Sequence, residues 1–222
     1  MEYSIFILYS CTSSISKIKM PKSISSRASS SNFNSSARDE NNLAAAKKVY
    51  NSSVLWHGTK HEHLKSLRES GFSRSLKKDG ATVGGREMNF KDFSSAAKNE
   101  ARENHYFSSS RNEAKDFAMF ADIYHPALAR TVGVRSHFNL TTDRQTGNTA
   151  LMTNESIPPR FVLGSKNSAP GENARVFKDE MAAAGHEVSV EQAGALLREV
   201  QSDSDDDTFP DPDEFIMSRL WG

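Results

Sequence analysis

Two short stretches of this chain carry side chains suited to gripping a ligand. The first, residues 54–72, reads VLWHGTKHEHLKSLRESGF: an apolar run breaks into His57-Gly58-Thr59, and an amphipathic segment follows at once. A histidine beside a glycine sets a hydrogen-bonding ring next to backbone that a ligand can approach closely. Thr59 adds a hydroxyl that either bonds a ligand or caps the next helix. The second stretch is His105-Tyr106-Phe107-Ser108, followed by a second helix signal, SRNEAKDFA. Tyr106 either packs with its hydroxyl at a rim or turns the face of its ring to a planar partner. Two such strand-to-helix corners, side by side, would form a cleft for a planar, amide-bearing ring.

The elements expected to hold these residues follow from periodicity and punctuation. A short buried strand is predicted at residues 54–56, and Leu64 and Leu67 lie at helical spacing before Gly71, a helix stop. HYFSSS reads as a strand, and Ser110 with Glu113 three residues on opens a helix whose Ala114, Phe117, Ala118 and Ala121 share one face. Helices are expected at residues 39–50, 172–184 and 189–200, with a short one at 94–103 in an otherwise polar loop of residues 73–104. ARTVGVRSHFNL alternates like a strand, and NTALMTNESIPPRFVLGS reads as two strands around a Pro-Pro break. Short strands with helices between them point to an α+β domain over residues 41–222. Residues 1–40 are serine-rich with few large apolar side chains, which predicts a disordered arm. Met20 offers an alternative start to the chain.

Composition removes several classes. The 222 residues carry 28 basic and 28 acidic side chains, so no nucleic-acid footprint is present. No apolar run approaches the ~20 residues of a membrane span, and the single cysteine, Cys11, excludes an internal disulfide framework. His57, His61 and His63 are close in sequence, but no further pattern completes a zinc site, and no metal is expected.

LWHGT…L…L…GF followed by YFSSSRNEAKDFA resembles the mono-ADP-ribosyltransferase superfamily, in the histidine-type branch that includes diphtheria toxin and the poly(ADP-ribose) polymerases. The resemblance covers roughly residues 53–165 and implies a split β-sandwich with flanking helices. It also implies NAD as the ligand. His57 would hold the adenosine-side ribose, the backbone of Gly58 the nicotinamide carboxamide, and Tyr106 would stack on the nicotinamide. Thr59 and Ser108 would stand beside the cofactor, and the helix after Tyr106 carries small residues and an aromatic of its own.

The superfamily also uses a glutamate at the start of a later strand. Cleavage of the glycosidic bond leaves an oxocarbenium-like ribose, and a nearby carboxylate stabilises that charge and helps align the nucleophile. Glu155, in TNESIPPRFVLGS, is the candidate by order. In many relatives the glutamate lies further upstream of the Ile-Pro-Pro, a register that here falls on Ala150. Glu214, in DPDEFIMSRL, is the second candidate, resembling the glutamate that heads the last strand in the polymerase branch.

The resemblance implies an enzyme that transfers ADP-ribose to a side chain of a protein, expected to be a host protein. The serine-rich arm suits a type III secreted effector or toxin, a monomer acting in host-cell cytoplasm; the alternative location is its own cytoplasm. Competing readings are an RNA 2′-phosphotransferase, which places a histidine where this chain has Tyr106, an NAD-glycohydrolase, and a catalytically dead NAD- or partner-binding module.

Overall fold

A computed structural model describes residues 31–73, 103–143, 150–164, 171–202 and 208–221, the side chains of 31–38 and 219–221 excepted. The expected arm up to residue 30, nearly all of the expected helix at 94–103 and the acidic run at 203–207 lie outside the described residues. Within them the chain is α+β, with seven α-helices and one open five-stranded antiparallel sheet. The strands are β1 (Leu55–Lys60), β2 (His105–Ser108), β3 (Pro126–Thr131), β4 (Thr141–Thr142) and β5 (Ala150–Thr153). Their order in the sheet is β3-β1-β2-β5-β4. The helices are α1 (Ser31–Ser53), α2 (His61–Ser70), α3 (Arg111–Ala121), α4 (Val134–His137), α5 (Glu172–Ala183), α6 (Val190–Ser202) and α7 (Pro212–Trp221).

Pairing around β1 is unequal. β1 and β3 are in register from Leu55↔Thr131 to Lys60↔Pro126, whereas β1 and β2 pair only at Trp56↔Ser108. β2 and β5 pair along their whole length, from His105↔Thr153 to Ser108↔Ala150. Helix α3 covers one face of β1. Below the other face, Phe72, Phe107, Ile157 and Phe161 are each almost fully buried. α1 presents Ala45, Ala46, Val49 and Tyr50 to α5 and α6, which contribute Val176, Phe177, Met181, Leu197 and Val200 to the same continuous core.

Several boundaries differ from the sequence expectation. β1 does not stop at His57 but runs through Gly58 and Thr59 to Lys60, because β3 supplies a partner for every residue. α1 starts at Ser31 rather than at residue 39. The segment ARTVGVRSHFNL is not one strand. β3 ends at Thr131, and Gly133, at φ 73°, turns the chain into α4. Its missing Cβ also admits Val176 of α5, whose Cγ1 lies 2.5 Å from where a Cβ would be. The described part of FVLGS, residues 161–164, forms no second strand; a 3-10 turn over Pro159–Phe161 leads to a lone bridge between Val162 and Thr131.

Between α3 and β3, Asp122 accepts hydrogen bonds from the backbone N–H of Tyr124 and of His125 at 3.1 Å each. Partial burial acts to raise its carboxyl, but those donors together with the nearby His125 and Lys60 charges outweigh it and hold the group below its usual range. This turn therefore contributes stability at neutral pH that fades as the carboxylate is protonated in acid.

Helix α2 ends as expected at Gly71, whose N–H donates to the Leu67 carbonyl at 2.9 Å with φ at 72°. Phe72 and Ile157 then exchange two backbone hydrogen bonds of 2.8 Å. A Cβ on Gly71 would overlap the Ile157 carbonyl, whereas one on Gly185, at φ 86°, would meet open space. Gly71→Ala is expected to cost about 2–5 kcal/mol, summing left-handed strain and overpacking. Gly185→Ala should cost about 1–2 kcal/mol from strain alone. Urea denaturation of the two variants measures the difference; equal costs would mean that the Ile157 contact is not what fixes Gly71.

Candidate functional site

Past the Trp56–Ser108 pair, β1 and β2 make no further ladder pair, and a side chain joins them instead. Nδ1 of His57 lies 2.7 Å from the Tyr106 carbonyl oxygen. A carbonyl can only accept, so Nδ1 carries the proton, and in the neutral ring Nε2 is then the nitrogen of acceptor type. The ring packs on two aromatic neighbours: Phe72 meets it edge-on at 5.0 Å between centroids, and Phe107 at 5.8 Å. Phe72 also meets Phe107 at 5.0 Å and His105 at 5.6 Å. The Gly-Phe at the end of α2 therefore sets the floor beneath His57.

On the opposite face, Gly58 lies against α3. A Cβ there would overlap the Ala114 carbonyl and stand 2.5 Å from the Ala118 nitrogen. Two residues earlier on the same face, Trp56 carries the guanidinium of Arg111 from α3 at 5.3 Å and that of Arg130 from β3 at 5.9 Å. Phe117, the aromatic within SRNEAKDFA, is 36 % exposed on α3, and its backbone carbon stands 3.0 Å from the position of a Gly58 Cβ. The structure thus brings together His57, Gly58 and the Tyr106 backbone, with the half-buried Tyr106 side chain between two buried neighbours.

The two corners do not meet. Because β1 and β2 are antiparallel, the turn into α2 and the turn into α3 lie at opposite ends of the two strands, and their one ladder pair joins the second residue of β1 to the last residue of β2. Thr59 is buried within β1, and the N-cap of α2 is Lys60, with no side-chain cap bond; Thr59 does not cap the helix. Ser108 is buried, and its hydroxyl is engaged: it donates to the Glu113 carboxylate and accepts from the Ser110 N–H at 2.8 Å. It faces the start of α3, not an open cavity.

The acid is the least expected part. β5 lies beside β2, yet its residues are Ala150, Leu151, Met152 and Thr153. Ala150, buried opposite Ser108, occupies the upstream register. Glu155 falls beyond the end of β5, in a bend, where its Oε1 accepts from the Asn139 N–H at 2.9 Å and its own N–H donates to Thr153. Glu214 does not head a strand. It lies exposed in the first turn of α7, which docks on α3 through Phe215 against Phe120, with ring centroids 5.2 Å apart. FIMSRLW is helical because Pro212 starts a helix and the Asp211 carboxylate caps it by accepting from the Asp213 N–H at 2.9 Å.

Sequence reasoning missed the Ser108–Glu113 link, although the capping-box spacing was its signal. It also missed the flanking of Trp56 by two arginines, for which no linear signal exists. Among the described residues no group of three or more histidine, cysteine or acidic side chains could hold a metal ion, and no helix is long and apolar enough to cross a membrane. Comparison with protein-family models, with curated proteins and with solved structures returns no significant match for this chain.

The contact between Gly58 and α3 has a measurable consequence. Gly58→Ala should destabilise the fold by about 1–3 kcal/mol, because helix backbone cannot move aside as a flexible side chain can. Thermal unfolding checks this; a Tm equal to that of the parent chain would mean that α3 is not pressed on β1.

Proposed function

We propose that this chain is an NAD-dependent mono-ADP-ribosyltransferase with the split β-sandwich architecture of the histidine-type branch, acting on a protein side chain. The observation that carries the reading is the junction of β1 and β2. The ladder is reduced to one pair, and the His57 ring bridges the strands through its protonated Nδ1. A neutral imidazole fixed in that tautomer suits a ribose hydroxyl, and the adjoining Gly58 backbone and Tyr106 ring suit a carboxamide-bearing heterocycle. The residues present therefore fit the nicotinamide and ribose parts of NAD. In this reading Phe117 is the second aromatic at the ring, and Glu155 is the acid that meets the positive charge developing on the ribose. The organismal setting belongs to the same proposal: a secreted effector or toxin, delivered by a type III machine, modifying a host protein in host cytoplasm.

A second reading is favoured by a specific observation. β5 holds no carboxylate, and Glu155 is already engaged with the Asn139 backbone. A chain of this kind that binds NAD without transferring ADP-ribose would be a binding module.

Substitutions at four positions separate these readings. His57→Ala should weaken NAD binding about 2- to 12-fold, the worth of one neutral hydrogen bond of about 0.5–1.5 kcal/mol; unchanged affinity in a folded variant rejects the site. Tyr106→Phe should bind and react nearly as the parent chain, and Tyr106→Ala should not, because stacking needs the ring and not its hydroxyl. Glu155→Gln should keep NAD binding and lower transfer about 10²–10³-fold, as removal of one preorganised group does elsewhere. Glu214→Gln should leave the rate within a few-fold. The assay is incubation with labelled NAD and a cell extract. Label on protein supports the transferase, label on RNA the phosphotransferase, and free nicotinamide alone the glycohydrolase. No turnover with measurable NAD binding supports the binding module.

A further inference from the structure

We propose that Ser108 and Glu113 form a positioning pair that fastens helix α3 to strand β2, and thereby sets how closely α3 approaches His57-Gly58. Only the ligand readout of this proposal rests on the NAD reading; the positioning itself does not. In the usual capping box the glutamate at the third helical position reaches back to the N–H of the cap residue. Here that direct bond is replaced by a relay. The Ser110 N–H donates to the Ser108 hydroxyl at 2.8 Å, and the hydroxyl donates onward to Glu113 Oε2. The serine doing this is not part of the helix. It is the last residue of β2, 2 % exposed, and paired across the sheet with both Trp56 and Ala150. The cap is therefore anchored in the sheet.

What the anchor controls lies one turn further along. The Ala114 carbonyl and the Ala118 N–H of the same helix occupy the space beside Gly58. A helix is stiff over two turns, so a shift of its first turn is carried to Ala114 and Ala118, and from there to the strand bearing His57. The Arg111 guanidinium over Trp56 adds a second contact between the helix start and β1. Ser108 is thus a positioning residue that touches no ligand, and Glu113 is its partner.

The test compares Ser108→Ala, Glu113→Ala and Glu113→Gln with the parent chain by amide hydrogen exchange, without NAD, and by NAD titration with His57→Ala as reference. Glu113→Gln retains an oxygen that accepts from Ser108, so its exchange and affinity should stay within about twofold of the parent. Ser108→Ala and Glu113→Ala should speed exchange in residues 111–118 and also in residues 55–60. They should weaken NAD binding about three- to tenfold, while α5 and α6 exchange as before. Faster exchange confined to residues 111–118 makes the pair a helix cap only and overturns the proposal. A uniform rise that includes α5 and α6 overturns it as well, as general destabilisation. Should Ser108→Ala fail to fold, the contrast between Glu113→Ala and Glu113→Gln, at a half-buried position, decides the matter. If the expected exchange pattern appears but the parent chain does not bind NAD, the positioning role stands and the NAD reading falls.

Discussion

Strand β1 serves two neighbours unequally, and the site follows from that asymmetry. Its edge toward β3 is paired along all six residues, which keeps the strand extended through a glycine that would otherwise weaken it. Its edge toward β2 is paired once. An unpaired stretch inside a sheet is costly unless its polar groups find other partners. Here one of them, the Tyr106 carbonyl, accepts from an imidazole. That bond fixes the tautomer of the ring and holds it where two strands part. A fully zipped ladder at this place would leave the ring no such role.

The aromatic floor depends on a second constraint, the return of the chain after α2. Gly71 takes up a positive φ, so Phe72 enters the core at once and is fixed there by its two bonds with Ile157. Phe72 then lies against His57, His105 and Phe107 together. The Ile-Pro-Pro segment thereby acts on the site from below, although none of its residues carries a reactive group.

Much of this was legible in the sequence because it rests on local rules. The α2 stop at Gly71, the Ser110 cap and the helices at the C-terminal side were readable from capping and periodicity. So was the α+β class. The extent of β1 was not, since a strand's length is set by its partners, and β3 lies far along the chain. The break at Gly133 was hidden by an alternation that continues through it; the glycine is there to admit Val176, a contact with no linear signature. Glu214 was misplaced because an acidic residue before an apolar run suits the head of a strand as well as the first turn of a helix. The corners could not be placed at opposite ends of the two strands without knowing that β1 and β2 run antiparallel.

Trp56 has an optical meaning beyond its packing. The chain contains two tryptophans, Trp56 and Trp221, and the indole of Trp56 lies within 6 Å of a guanidinium from a helix, at 5.3 Å, and of one from an edge strand, at 5.9 Å. Indole emission responds to charge held over the ring, because the excited state shifts its electron density relative to the ground state. Any displacement of α3 against the sheet carries the Arg111 charge with it. With Trp221 replaced by phenylalanine, the intrinsic fluorescence of the protein becomes a gauge of the seam between helix and sheet, readable in solution without a label.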